Sequence, residues 1–153
     1  MINDNEHIHF MRLALKEAGR AFLEGEVPVG AVLVGKDSDI IAVAHNRRES
    51  LNDPTAHAEV IALRAGAKAV ENWRLSDATL YVTKEPCIMC AGTMVNARLG
   101  RLVYGCHDSN GGAVASLYSL LDDKRLNHQV TVISGVLDEE CASLLKRFFQ
   151  DRR

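Results

Sequence analysis

Apolar residues recur at helical spacing from residue 9 to 22: Phe10, Leu13, Ala14, Ala18, Ala21 and Phe22 fall on one stripe. This predicts an amphipathic helix, closed by Gly25. Two short apolar runs follow, 29–34 and 40–44, separated by Gly-Lys-Asp-Ser-Asp, and such runs around a Gly/Asp turn predict a β-hairpin. The chain is polar over 46–55, which predicts a loop. From Ala58 onward, Ile61, Ala62, Ala65 and Ala69 mark a second helix, and 78–83 is rich in strand formers. Pro86 suits the first turn of a third helix running through Met94, because its missing N–H is no loss there. A strand at 102–104, a helix near 116–121 and a strand at 130–133 are expected next. Asp138 is expected to cap a last helix with Cys141, Leu144, Leu145 and Phe148 on one face. A hairpin followed by alternating strands and helices predicts an α/β domain with a mixed sheet covered by helices.

Composition narrows the class. The 153 residues contain no repeat or Pro/Gly-rich linker, so one domain over 1–153 is expected. The chain is 47% apolar and 25% charged, which excludes a disordered chain. No apolar run approaches the roughly 18 residues a membrane span needs, and no signal peptide is visible at the N-terminus. The expectation is a cytoplasmic protein with no membrane partner. Eighteen basic and twenty acidic residues give a net charge of −2, which excludes a globally basic nucleic-acid binder but leaves local patches possible. In a reducing compartment the four cysteines point to metal binding or chemistry rather than disulfides.

Two short motifs carry that chemistry: His57-Ala58-Glu59 and Pro86-Cys87-Ile88-Met89-Cys90. One imidazole and two thiolates make three zinc ligands, and three protein ligands leave a position for water, as a catalytic site requires. Cys87 and Cys90, three apart, share a face of a helix after Pro86. His57 and Glu59 are two apart, about 200° around a regular helix, so both reach one site only if His57 lies at an irregular helix start. Asp53-Pro54-Thr55 supplies such a start. Glu59 is then an unliganded carboxylate placed for general acid/base work. Other readings remain open at this point: a redox C-x-x-C pair, or a structural zinc completed by Cys106 or His107. Cys141 and Cys106 read as core residues, and His7, His9 and His45 as surface or packing residues.

H-x-E followed by P-C-x-x-C is the signature of the zinc nucleobase deaminases. The chain resembles the bacterial tRNA adenosine deaminases within that superfamily over nearly its whole length. The matching stretches include 26–32, Asn46-Arg47, 53–59, 77–83, 85–92, Asn127-His128, 135–141 and Phe148-Phe149. The resemblance implies a three-layer α/β/α sandwich with a five-stranded mixed sheet (cytidine deaminase-like), a homodimer, and one zinc per subunit. It implies His57, Cys87 and Cys90 as zinc ligands and Glu59 as the proton shuttle. Asn46, Val29, Ala58, Pro86 and Asp108 would line the substrate site. The implied reaction converts the wobble adenosine of a tRNA anticodon stem-loop to inosine, releasing ammonia. A free base or nucleoside (cytosine, guanine or cytidine) is the alternative substrate. In 108–116 the chain departs from the family, with Asn110 and Ala115 where lysine and glycine are usual. Arg47 and Arg48 beside Asn46, with Phe149 and Arg152 in a C-terminal stretch of four basic residues and one acidic, are the expected RNA contacts.

Overall fold

The hairpin forms one edge of the sheet, and everything else is added to it. In the computed structural model, which describes residues 4–152, β1 (Gly30–Val34) pairs antiparallel with β2 (Ile40–His45) and also with β3 (Thr79–Lys84). Parallel pairing then adds β4 (Arg101–Cys106) and β5 (Thr131–Ile133), giving the order β2-β1-β3-β4-β5. The hairpin turns where expected, with Ser38 taking the left-handed conformation at φ 63°.

Side chains alternate across the strands. Val32, Val34, Tyr81 and Val103 face a layer formed by α1 (Asp4–Leu23) and α5 (Asp138–Gln150), meeting Phe10, Met11, Ala14 and Cys141. Ala31, Leu33, Leu80, Val82 and Leu102 face the other layer, α3 (Ala58–Val70) and α4 (Ile88–Asn96). Leu80, Val82 and Leu102 are wholly buried, as central strands covered on both sides must be. The three-layer α/β/α sandwich with a five-stranded mixed sheet is therefore the observed fold. Gly30 lets α1 lie against the sheet: a Cβ there would sit 2.0 Å from the Ala14 carbonyl oxygen and 2.5 Å from the Ala18 nitrogen.

Four local expectations need correction. α1 starts at Asp4, not near His9; its first turn is polar, and only His7 in it is buried, its Nδ1 2.8 Å from the Tyr81 hydroxyl. The 46–55 loop contains a single helical turn, α2 (Arg48–Leu51). No helix forms at 116–121. The Leu120 N–H, which a helical ladder would give to Ser116, goes to the Ala113 carbonyl, and Leu117 and Tyr118 donate to the Gly112 carbonyl, so no regular ladder forms. Asp138 is the first residue inside α5; the cap position belongs to Leu137, in the left-handed conformation at φ 54°. Asp138 Oδ1 accepts the Glu139 N–H instead.

The topology gathers functional segments at one end of the sheet. β3 and β4 are parallel, so their carboxyl ends lie together, and antiparallel β1 brings its start beside them. The Gly30 N–H donates to the Thr83 hydroxyl across that end. In open α/β sheets, ligands bind beyond the carboxyl ends of the strands.

Candidate active site

Two helices begin at this end, and each opens on a candidate ligand. His57 occupies the N-cap position of α3 with extended backbone (φ −78°, ψ 148°), and Cys87 the same position of α4 (φ −77°, ψ 178°). The irregular start that the two-residue spacing demanded is present: Glu59 lies in the first turn of α3, buried, on the helix that His57 opens. Cys90, one turn into α4, is fully buried.

His57 Nδ1 lies 3.6 Å from Cys87 Sγ and 3.5 Å from Cys90 Sγ. A tetrahedral ion with bonds of about 2.0–2.1 Å to nitrogen and about 2.3 Å to sulfur separates such atoms by about 3.6 Å, so both nitrogen–sulfur distances suit a shared metal. Among the described residues these three form the group able to hold one. Cys106 instead donates to the Thr83 carbonyl, and His107 Nδ1 lies 3.0 Å from the Tyr104 hydroxyl, so neither completes a closed site. No disulfide joins Cys87 to Cys90.

The electrostatics ready one of the three ligands, Cys87, by favouring its thiolate. Hydrogen bonding from the Cys90 thiol, aided by His57, pushes Cys87 down to about 3, against the cost of burial. The helix starts add partial positive charge, which also favours a thiolate. Interaction with Cys87 pushes the Cys90 thiol up and raises His57. Burial raises the Glu59 carboxyl above its ordinary value, which suits a group that must both take and return a proton.

Asn46 closes the start of α3. A helix leaves its first amides unpaired, and the His57 side chain, turned to the cysteines, caps none of them. Asn46 Oδ1 accepts the Ala58 N–H at 2.8 Å, while the Asn46 N–H donates to the Val29 carbonyl at 3.1 Å. Val29, Asn46, Ala58 and Pro86 are all buried at this end of the sheet. Arg47 and Arg48 are exposed beside them.

The more distant candidates are held differently. The Asp108 carboxylate pairs with Lys84 Nζ at 3.1 Å and accepts the Asn110 N–H. Phe149 is exposed, but Arg152 stacks on Phe148 at 3.7 Å from the ring centre, and Phe148 in turn meets Phe22 at the end of α1. The last of the C-terminal basic residues, Arg153, lies outside the described residues.

Sequence reasoning missed two buried carboxylates that shape both sides of the site. Glu26 accepts the N–H groups of Glu49 (3.1 Å) and Ser50 (2.8 Å), fixing α2. Glu85 accepts four amides and a hydroxyl from 108–116, and those bonds overcome burial to hold it down at about 2. For Glu85 the available signal was an acidic residue set between a predicted strand and Pro86.

Three residues able to hold a metal, gathered at two helix starts with a buried carboxyl on the same helix as one of them, are the arrangement expected of a deaminase on this fold. The sequence model of the MafB19-like deaminase family matches residues 5–153, and the chain belongs to that family. A tRNA-specific adenosine deaminase of Haemophilus influenzae is 52% identical over 94% of this chain and 83% of its own. One from Bacillus subtilis is 49% identical over 94% of this chain and 89% of its own. A structure solved in studies of A-to-I editing by tRNA:A34 deaminases at the wobble position matches with a TM-score of 0.85 at 46% identity, covering 89% of this chain and 98% of that one. Within the family, the chain therefore groups with the tRNA-specific adenosine deaminases.

Proposed function

We propose that the protein hydrolytically deaminates the wobble adenosine of a tRNA anticodon stem-loop. Water adds at C6, the exocyclic amine leaves as ammonia, and inosine remains. The observation that carries this reading is the convergence of His57, Cys87 and Cys90 with the unliganded Glu59 carboxyl; the named relatives supply the substrate.

His57 Nδ1 and the sulfurs of Cys87 and Cys90 would hold one zinc ion per subunit. When bound, zinc acts as a Lewis acid that brings the pKa of water from 15.7 towards about 7. Glu59 takes a proton from the attacking water and returns it to the departing amine, a role that its burial and raised pKa support. Asn46 is held by its carbonyl oxygen on Ala58, which leaves its NH₂ group to donate to the base. Val29, Ala58 and Pro86 shape the base pocket, and Asp108 belongs to the loop that contacts RNA. Arg47, Arg48, Phe149 and Arg152 contribute phosphate and stacking contacts to a loop whose unstacked base can be splayed into the pocket.

The family match over 5–153 supports one catalytic domain. A cytoplasmic homodimer belongs to the same reading and rests on the resemblance; no helix of the described residues is long and apolar enough to cross a membrane. The test is ammonia release from a wobble-adenosine stem-loop, run beside free adenine, guanine, cytosine and cytidine. Turnover of the stem-loop is expected; turnover of free bases or nucleosides alone would overturn the proposal.

A further inference from the structure

The 108–116 loop is organised around one side chain outside it. Glu85, only 2% exposed, accepts the Asp108 N–H on Oε1 at 3.0 Å. Its Oε2 accepts the amides of Val114 (3.1 Å), Ala115 (2.8 Å) and Ser116 (2.9 Å). The Ser116 hydroxyl donates to Oε1 as well. One carboxylate thus ties the first residue of the loop to its last three. The neighbours of Glu85 reinforce the grip: Lys84 pairs with Asp108, and the Pro86 carbonyl accepts the Ala113 N–H at 2.9 Å. Gly112 leaves room for the carboxylate, since a Cβ there would fall 2.3–2.5 Å from its carbon and both oxygens.

The bonding requires a carboxylate. Four amides and a hydroxyl all point donors at the two oxygens, and glutamine would turn an NH₂ donor towards donors. Glu85 also directly precedes Pro86-Cys87, so the clamp sets the loop against the segment that carries a metal ligand.

Building on the proposed function, we infer that Glu85 is a positioning residue for substrate. It fixes the loop bearing Asp108 and Asn110 beside the pocket, so grip on the polynucleotide depends on it while proton transfer at Glu59 does not.

Metal-replete Glu85→Gln, Ser116→Ala and Gly112→Ala proteins are compared with wild type by stem-loop kinetics and by amide hydrogen exchange. Glu85→Gln is expected to raise KM at least about tenfold with kcat changed less than about threefold. Exchange at 114–116 should quicken at least about tenfold, with the α3 and α4 amides unchanged. Ser116→Ala should move both readouts the same way by less, and Gly112→Ala by more than Ser116→Ala. A fall in kcat with unchanged KM, or loop exchange equal to wild type, overturns the inference. If Glu85→Gln does not fold, the other two variants decide by the same readouts. If wild type does not turn over the stem-loop, the proposed function fails, and loop exchange alone then decides whether the clamp exists.

Discussion

Asn46 combines two duties that substitution can separate. Its oxygen pairs with the Ala58 amide, which is wholly buried at the start of the helix carrying Glu59. Asn46→Ala leaves that N–H buried without an acceptor, a penalty of about 1–3 kcal/mol. At about 2–4 °C per kcal/mol for a chain of this size, the middle of that range lowers Tm by about 4–8 °C. Asn46→Asp keeps an oxygen on the amide and places negative charge at a helix start, where it is favoured by about 0.3–1 kcal/mol. Its stability should therefore stay within about 1 kcal/mol of wild type, the cost of a typical single hydrogen bond. Its NH₂ group is gone, however, so stem-loop turnover should fall at least about tenfold, the equivalent of one lost hydrogen bond of about 1.4 kcal/mol. The assay is denaturant unfolding and steady-state kinetics on both variants. If Asn46→Asp unfolds as readily as Asn46→Ala, or if Asn46→Ala is as stable as wild type, the helix-closing role is refuted.

Glu59→Gln should lose about 10²–10⁴ in turnover while retaining its metal by elemental analysis; unchanged turnover would remove Glu59 from the proton path. Stripping the metal with a chelator should lower Tm and abolish activity, because ligation is linked to folding; an unchanged Tm contradicts the site as drawn. Gly30→Ala must push α1 off backbone atoms 2.0–2.5 Å away. It should cost at least about 2 kcal/mol by chemical denaturation, and a loss under 0.5 kcal/mol, roughly the size of a neutral surface change, would show the helix yields freely. Burial alone would raise the Glu26 carboxyl, but the Glu49 and Ser50 amides outweigh it and hold the group below its ordinary 4.5. Its contribution to stability is therefore complete above 4.5 and is lost as pH falls through the lower folded value. Unfolding measured against pH should show a shallower acid limb in Glu26→Gln, and an identical limb would refute this.

The sequence exposes some of this design and hides the rest. His57, Glu59, Cys87 and Cys90 are legible because their chemistry is specific and their spacing constrains backbone: His57 and Glu59 can meet only at a helix start, and that start is present. The strands are legible because alternation and buried runs leave few other solutions. Glu26 and Glu85 are not, because each accepts amides 23 to 31 residues away, and backbone donors leave no local pattern. The helix expected at 116–121 fails because the Leu117, Tyr118 and Leu120 amides turn back to the Gly112 and Ala113 carbonyls. The start of α1 escapes notice because its first turn carries acids rather than apolar residues.

The most direct test of the account is position-resolved mass spectrometry of an anticodon stem-loop after incubation with metal-replete wild-type protein. Inosine at the wobble position alone, matched by one ammonia per inosine and absent with Glu59→Gln, is the predicted result. An unaltered stem-loop, or inosine produced equally by Glu59→Gln, would contradict it.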